Sequence, residues 1–359
     1  APTPPPSAPG EPPRQAPPPE YRFLEQMMAQ RFEVEPDVDL SSGAVPDTVD
    51  VLVLGKVGPL SANEQLAIDQ FLLRGGSVIA MAGSSRVSMD RGGFAAEATS
   101  QALLDMLARY GAKVGSGFLL DDQSGTLAMP VRGRVVQFQY PYWLDIRPGQ
   151  FAADHLALQG IPQLSMPWVS EVSLADVPEG LKGEVLLRSS PDAWNRVSAD
   201  LMPDFRTYSE TGFARGTDKA ERPVAVVLTG RFPSFFDDAS RPKVEGALTV
   251  AAADGKLVVL GSSEMLSDVI LEYAGSPLGR VHANNPLLMQ NLLDWALADT
   301  DLLSIRNAGT FSRTLDPMDE SAARTLEYAN YAFGGLVLAA FFVIARRRRP
   351  IPTVPKRSA

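Results

Sequence analysis

The sequence predicts an α/β domain built on a parallel sheet, interrupted by a β-rich insertion and followed by one C-terminal transmembrane helix. Short apolar runs at 49–54 (VDVLVL) and 77–82 (SVIAMA) alternate with helical patterns, as expected of parallel β-α-β units. The alternation stops between about 121 and 220, where prolines, tryptophans and tyrosines interrupt it. A stretch of 18 residues without a charge, 328–345, then precedes a run of arginines.

The N-terminal part of the chain changes character at Tyr21. Residues 1–20 contain ten prolines, a composition that excludes helix and central strand, so we expect an extended linker there. A helical pattern follows over 21–31, and 32–34 is expected to form a short strand. Ser61 then begins a helix, because Glu64 stands three residues later, at the spacing of a capping box.

The remaining elements are predicted from the same signals. They are a helix at 101–110, strands at 113–119, 131–140, 184–188, 223–229 and 256–260, and a helix opened by the Asn285-Pro286 pair. Strand, helix and strand at these spacings imply parallel pairing with right-handed crossovers. We expect the insertion at about 121–220 to contain a polar loop at 192–217, and the parallel pattern to resume at 223–229. The α/β domain then covers 21–305, and a polar connector covers 306–327.

The segment 328–345 is expected to span a membrane. At about 1.5 Å per residue it covers about 27 Å, close to a hydrocarbon core of about 30 Å. Tyr328 and Tyr331 stand where amphipathic rings favour the interface, and Gly334 and Gly335 permit close packing of a second helix. The anchor ends in four arginines, Arg346, Arg347, Arg348 and Arg349. The positive-inside rule places them in the cytoplasm and the α/β domain on the extracytoplasmic side.

Charge is distributed unevenly along the chain. The tail, 346–359, holds six of the 33 basic residues and no acid, which leaves 27 basic against 42 acidic residues, a net charge of −15, in 1–345. Because phosphate contacts need a basic surface, no nucleic acid is expected as a partner, whereas the tail suits anionic lipid. The absence of cysteine excludes disulfides, thiolate metal sites and cysteine nucleophiles. The first residue is alanine and no leader opens the chain, so we expect a segment of a longer polypeptide.

Ligands of open parallel sheets bind at the carboxyl ends of the strands, and two predicted strands here end in Gly-Ser-Ser turns. The candidate ligand or partner surface comprises Ser84, Ser85, Arg86, Ser262, Ser263 and Glu264. Such turns present backbone N–H groups to an anion, and they are also an ordinary way for such strands to end. A third predicted strand ends at Gly55-Lys56-Val57-Gly58.

The sequence offers little for catalysis. A serine nucleophile needs a base beside it, and neither His155 nor His282 stands at a recognisable spacing from a serine and an acid. The acid pairs Asp121-Asp122 and Asp237-Asp238 are interpreted as solvated loops rather than cation sites. A Walker sequence is absent, so we predict no ATPase activity. With no base paired to a serine and no cation site, we also predict no catalytic residue and no cofactor.

Two tryptophans bear on the choice between functions. Trp143 and Trp168 are expected to pack the insertion against the sheet rather than to stack on a sugar. An envelope hydrolase or glycan-binding module, acting through the Gly-Ser-Ser turns or through these rings, nevertheless stays open as the alternative function.

Three stretches carry a family resemblance. They are 49–82, which begins VDVLVLGKVGPLSANEQ, 140–168, which begins YPYWLDIRPGQ, and 257–306, which contains LVVLGSSEMLSDVI and NNPLLMQNLLDWALADTDLLSIR. Together they resemble the GldG-like auxiliary component of gliding-motility-type ABC transporters, over most of 21–350.

The resemblance implies a class I glutamine-amidotransferase-like, flavodoxin-like fold. It also implies a non-catalytic accessory subunit in the bacterial inner membrane, with a periplasmic domain, that works with an ABC permease and a separate ATPase. Enzymes of that fold carry a cysteine at a strand-to-helix turn, and its absence here argues against glutaminase activity.

Overall fold

The computed structural model describes residues 20–90, 93–131, 134–198, 200–209, 211–274, 284–297 and 320–347. The chain divides into two compact units, Ala1–Ser312, hereafter the body, and Arg313–Ala359. The described strands of the body are β1 (Val51–Gly55), β2 (Ser77–Met81), β3 (Ser85–Asp90), β4 (Gly93–Ala98), β5 (Ala112–Val114), β6 (Phe118–Asp121), β7 (Ser124–Val131), β8 (Arg134–Ile146), β9 (Leu164–Pro167), β10 (Val172–Leu174), β11 (Leu181–Arg188), β12 (Ala193–Arg196), β13 (Pro223–Gly230) and β14 (Gly255–Leu260). Its described α-helices are α1 (Arg22–Met28), α2 (Ala62–Leu73), α3 (Gln101–Arg109), α4 (Asp268–Ala274) and α5 (Asn285–Ala296), and short 3-10 helices span Pro148–Gln150 and Leu156–Leu158.

The central sheet has five strands in the order β1-β2-β14-β13-β11. The first three are parallel, with Val53, Ile79 and Val258 in register across them. β13 runs antiparallel to β14, and β11 runs antiparallel to β13. The sheet is therefore mixed, and small antiparallel sheets accompany it.

The prediction of a parallel flavodoxin-like or glutamine-amidotransferase-like sheet is therefore wrong. The strand predicted at 223–229 exists as β13, but the connection 231–254 that leads to β14 contains no helix, and the two strands are antiparallel. A strand buried on both faces is a continuous apolar run whichever way its neighbours run, so composition predicted the burial and not the direction. Direction follows from the connection, because antiparallel neighbours need no crossover helix.

The single strand predicted at 113–119 is also wrong. β5 and β6 are separate, and each pairs in its own two-stranded antiparallel sheet, with β10 and with β12. Between them Gly117 has a φ of +79°, and a Cβ there would lie 2.5 Å from the carbonyl oxygen of Arg196. The chain turns at this position because only glycine fits it. The short strand expected at 32–34 does not form.

Two hydrophobic cores cover the two faces of the central sheet. Side chains alternate along a strand, so Val78 and Ala80 face the core that contains α2 and α3, while Ile79 and Met81 face the core that contains α1 and α5. The sheet is thereby covered on both sides, as the apolar strand sequences predicted.

Helix α2 begins as predicted, and a buried aspartate in its middle is hydrogen-bonded to neighbouring segments. The capping box is confirmed, since the Glu64 N–H donates to Ser61 Oγ at 3.3 Å and the Ser61 N–H donates to Glu64 Oε2 at 2.7 Å. Further along, Asp69 is fully buried. It accepts hydrogen bonds from the Tyr110 hydroxyl at 2.8 Å, the Ser234 hydroxyl at 2.9 Å and the Phe235 N–H at 2.6 Å. These bonds join α2 to the end of α3 and to the loop after β13.

Helix α5 ends at the amino ends of the central strands. The ammonium of Lys256 donates to the carbonyls of Trp295 and Ala296, both at 2.9 Å, and the Ser77 hydroxyl donates to Ala296 at 3.3 Å. The first described residue, Glu20, lies at the carboxyl ends of the same strands, where its carboxylate contacts the ammonium of Lys56, the residue after β1. The chain therefore enters the described body at one end of the sheet and leaves it at the other.

A third core, made largely of aromatic side chains, is formed by β3, β4, β6, β7, β8 and β12. Trp143 and Trp168 are both buried in it, with ring centroids 5.8 Å apart, so neither presents a face to a sugar. The expected polar loop at 192–217 begins instead with β12, which places Trp194 in the same core.

The second unit contains helix α6, Glu320–Arg347. Within it, Glu327–Arg346 is long and apolar enough to cross a membrane, with a mean hydropathy of 1.7 and no part buried in protein. This span contains the predicted segment 328–345 and is about 30 Å long. The helix begins at Glu320, so the last residues of the expected connector are helical. Arg348 and Arg349 lie outside the described residues.

Candidate functional site

The predicted strand ends meet at one edge of the central sheet. Gly55, Met81 and Leu260 are in register at the carboxyl ends of β1, β2 and β14. The turns that follow two of these strands lie so close together that a Cβ on Gly83 would lie 2.8 Å from the carbonyl oxygen of Gly261. At this edge the backbone of the turn after β2 therefore contacts the backbone of the turn after β14.

The first Gly-Ser-Ser turn is fastened by its own serine. Ser84 lies between β2 and β3, and Ser85 and Arg86 are the first residues of β3. The Ser84 N–H donates to Ser170 Oγ at 2.9 Å, and the Ser84 hydroxyl donates to the Gly117 carbonyl at 2.9 Å. A nucleophilic serine needs a base to accept its proton, and here a carbonyl accepts it.

The second Gly-Ser-Ser turn faces inward. Ser262, Ser263 and Glu264 are only 0%, 1% and 2% exposed. The Ser262 hydroxyl donates to the Pro167 carbonyl at 2.5 Å, and Glu264 Oε1 accepts the Val87 N–H of β3 at 2.9 Å. The structure thus brings the two predicted groups of residues together, but it turns the second group away from solvent.

Lys56 is the charged centre of this edge. Its φ of +43° is in the left-handed region, which costs a residue with a Cβ about 1–3 kcal/mol. Its ammonium lies 2.7 Å from Glu264 Oε2 and 2.5 Å from Glu20 Oε2. Burial lowers the pKa of Lys56, but the two carboxylates outweigh it and the pKa is raised. Burial raises the pKa of Glu264, although the Lys56 ammonium opposes that change.

The sequence marked Lys56 only as part of a strand end. No motif signals a contact between residues 56 and 264, which are far apart in the chain. The available signal was the position itself, a lysine directly after an apolar strand, at the edge where the other two strands also end.

Arg86 brings a second cation to this edge. Its Nη2 lies 3.2 Å from Glu97 Oε2, and its Nη1 donates to the Lys56 carbonyl at 3.4 Å. These side chains, with Glu20, line a recess of about 50 Å³. A water molecule occupies about 30 Å³ of liquid, and small-molecule pockets are about 300–1,000 Å³, so the recess suits water and not a sugar or nucleotide.

The N-terminal residues of the body cover the edge. The Tyr21 hydroxyl donates to the Ser263 carbonyl at 2.6 Å, and a Cβ on Gly55 would lie 2.7 Å from the Tyr21 ring. The Asp268 N–H donates to the Glu20 carbonyl at 2.7 Å. Burial, reinforced by the Glu264 carboxylate, raises the pKa of Tyr21 well above its usual value. The position that ligands occupy in open α/β sheets is filled by the chain's own segment.

The described histidine is remote from these serines. His155 Nδ1 accepts the Ala157 N–H at 3.3 Å, and its ring centroid lies 5.1 Å from that of Trp295. The Lys256 ammonium lies 4.9 Å from the same Trp295 ring, at the far end of β14, a strand of about 17 Å. Burial lowers the pKa of His155. His282 lies outside the described residues.

The two acid pairs hold local structure. Asp121 is buried and accepts both the N–H of Ser190, at 2.9 Å, and its hydroxyl, at 2.6 Å, so the interpretation as a solvated loop is wrong for this residue. Asp122 pairs with Lys219 at 2.5 Å. Asp237 accepts two backbone N–H groups of the turn that follows it. Across the described residues, no three histidine or acidic side chains gather where they would hold a metal ion.

The comparisons with known proteins identify a family. The family described as "ABC-type uncharacterized transport system" matches residues 6–292, about four-fifths of the chain. No curated protein matches the chain. A solved structure titled "mmIFT52 N-terminal domain" is similar, with 13% identity and a TM-score of 0.43, over 77% of this chain and 90% of that one. Since the family match covers most of the body, the predicted kinship with auxiliary components of ABC transporters is confirmed, and this chain belongs to the ABC-type uncharacterized transport system family.

Proposed function

We propose that the chain is a non-catalytic, membrane-anchored accessory subunit of an ABC transporter, and that its body binds partner subunits or cargo. The observation that carries the proposal is the family match over residues 6–292, which covers most of the body and ends before the apolar helix. The strand-end geometry supports it, because the hydroxyls of Ser84 and Ser262 donate to backbone carbonyls and the adjoining recess is small. The hydrolase alternative draws no support from these contacts.

The proposed partners are an ABC permease and a separate ATPase. A transporter of this class needs ATP hydrolysis, and this sequence lacks the glycine-rich loop that binds the phosphates. The GldG-like resemblance suggests the gliding-motility type of transporter, and the substrate is a property of the whole assembly.

A purification tests the partnership. The tagged full chain, isolated from its native membrane in mild detergent, is expected to bring down an ABC permease and an ATPase in stoichiometric amounts. An equally abundant tagged membrane protein without this body serves as the control. Recovery of the chain with neither subunit, in a detergent that keeps other membrane complexes intact, would contradict the proposal.

The proposed location is the bacterial inner membrane, with α6 spanning it, the body in the periplasm and the arginine-rich end in the cytoplasm. The span Glu327–Arg346 and the arginines that follow it support this orientation. Because the chain has no cysteine, a single introduced one is a unique label. A membrane-impermeant maleimide is expected to label Val250→Cys in cells with a permeabilised outer membrane, and Ser358→Cys only after lysis. The reverse pattern would overturn the orientation.

A further inference from the structure

The exposed apolar side chains of the body are concentrated in one region. Outside α6, eleven large hydrophobic side chains are exposed among the described residues, and six of them lie on two segments, 135–136 and 197–208. Scattered exposed hydrophobic residues are normal on a soluble surface, but a concentration of this kind marks an interaction surface.

The two segments meet beside the β7–β8 hairpin. The rings of Phe138, on β8, and Phe205, on the loop, meet edge to face with centroids 5.2 Å apart. The Tyr140 hydroxyl, also on β8, donates to the Leu201 carbonyl at 2.8 Å and so holds the loop against the hairpin. The hairpin-end surface is defined as Val135, Val136, Phe138, Met202 and Phe205.

The shape of this surface distinguishes between possible partners. Val135 and Val136 are successive residues of one strand, so their side chains point to opposite faces of the hairpin. They are 72% and 41% exposed. A flat protein partner would cover only one of these two valines. A fluid lipid interface surrounds both, and so it removes more apolar area from water than a flat protein partner would.

Charge points the same way. In the sequence, positions 123–144 contain two arginines and no acid, and 197–208 add Arg206, Asp200 and Asp204, so these two stretches together carry a net charge of +1. Both acids accept backbone N–H groups of their own loop, from Met202 at 3.2 Å and from Arg206 at 2.9 Å. The rest of positions 1–345 is strongly acidic, so these two stretches of sequence differ in charge from the rest of the body. Apolar side chains accompanied by arginine are the composition of interfacial membrane contacts.

We propose that the hairpin-end surface inserts into the headgroup region of a bilayer that contains anionic lipid, as a second membrane contact besides α6. The inference rests on the proposed membrane anchoring, which keeps the body beside a bilayer and raises the effective concentration of lipid around it. The insertion is shallow, because interfacial segments bury their apolar side chains about 5–10 Å deep.

Spin labels at three single cysteines test the proposal. The full chain, as Val135→Cys, Val250→Cys or Phe341→Cys, is reconstituted into vesicles of phosphatidylethanolamine with phosphatidylglycerol, and collision with oxygen is compared with collision with a water-soluble nickel chelate. Val250 is the matched control, since it is the same residue type with the same 72% exposure. It lies two residues before Ala252, whose N–H donates to the carbonyl of Leu73 at the end of α2.

The label at 341 should read as deep lipid, the label at 250 as water, and the label at 135 as interfacial, with an oxygen-to-nickel accessibility ratio several-fold above that at 250. Water-like readings at both 135 and 250, with 341 in lipid, would overturn this inference and leave the anchoring intact. A water-like reading at 341 would instead overturn the anchoring, and this inference with it. A label at 135 that stays in water and is immobilised by added permease would assign the surface to a protein partner and overturn the lipid contact.

Two further conditions separate insertion from general adhesion. Replacing phosphatidylglycerol by phosphatidylcholine should weaken the binding of this surface to the membrane by about five-fold for each arginine that faces the lipid, so that the ratio at 135 falls towards that at 250 while the ratio at 341 stays unchanged. Adding Val136→Asp to the Val135→Cys chain should return the label to water while the circular dichroism stays unchanged. A ratio at 135 that neither change affects would contradict the proposal.

Discussion

Replacement of Lys56 by methionine is expected to remove a large part of the stability of the body at neutral pH. The Glu264 side chain is only 3% exposed, and the Lys56 ammonium, 2.7 Å away, is its charged partner. Methionine preserves most of the side-chain volume, so the loss is chiefly electrostatic. Leaving a buried charge without its partner costs about 3–5 kcal/mol, out of about 5–15 kcal/mol for a whole domain. The Glu20 contact adds little, because that carboxylate is 47% exposed.

The loss should shrink as the pH falls. Burial raises the folded-state pKa of Glu264 above its ordinary value of 4.5, and removing Lys56 raises it further, since that ammonium favours the ionised carboxylate. A carboxyl whose pKa is raised by folding contributes most stability below its unfolded pKa, and loses that contribution as the pH rises through its folded pKa. The Lys56→Met chain should therefore approach the wild type as the pH falls towards 4.5.

Urea unfolding of the full chain in detergent, followed by tryptophan fluorescence, provides the measurement. All four tryptophans lie in the body, so the signal does not report on α6. Lys243→Met is the control, because Lys243 is exposed, and its unfolding free energy should match the wild type. A Lys56→Met chain within about 1 kcal/mol of the wild type at neutral pH, or a loss that grows on acidification, would refute the reasoning.

Three further predictions concern packing and titration. Gly83→Ala should cost about 1–3 kcal/mol and lower the thermal unfolding midpoint, because its Cβ would meet the Gly261 carbonyl. Gly58→Ala is the control, since a Cβ there has open space and should leave the midpoint unchanged. Equal midpoints for the two variants would contradict the prediction. Asp69→Asn should cost about 1–3 kcal/mol in urea, since an amide nitrogen replaces one of the oxygens that accept three donors; an unchanged curve would exclude that role. Burial raises the pKa of five of the eight tyrosines, that of Tyr142 to about 12. The free energy of unfolding should therefore fall as the pH rises past 10. At pH 11 the folded chain should show less than half of the phenolate absorbance at 295 nm that the unfolded chain shows. Full absorbance before unfolding would refute it.

Local signals in the sequence predicted local structure well. The Ser61 and Glu64 spacing gave the start of α2, and the apolar runs gave β1, β2, β13 and β14 close to their observed bounds. Asn285 was expected to cap α5 but is its first residue, with its side-chain amide donating to the carbonyls of Ser165 and Met265. That amide is used for tertiary contacts, which the Asn-Pro pattern does not encode.

Long-range pairing was beyond these signals. The antiparallel direction of β13 depends on a helix-free connection, and the division between β5 and β6 depends on what Gly117 approaches in space. At the candidate site, the sequence grouped the two Gly-Ser-Ser turns correctly at one edge. It gave no sign that Tyr21 closes that edge, since its partner Ser263 is 242 residues away, or that Lys56 supplies the counter-charge.

The entry and exit of the chain at opposite ends of the central sheet have a mechanical consequence. Tension between the proline-rich segment and the segment that leads to α6 reaches the sheet through Tyr21 on Ser263 at one end and through Ala296 on Lys256 at the other. Ser263 follows β14 and Lys256 lies near its start, so a load between these two contacts runs along the backbone of β14 rather than across its hydrogen bonds to β2. Because a β-strand is already nearly extended, the body passes a displacement between these two contacts with little extension of its own.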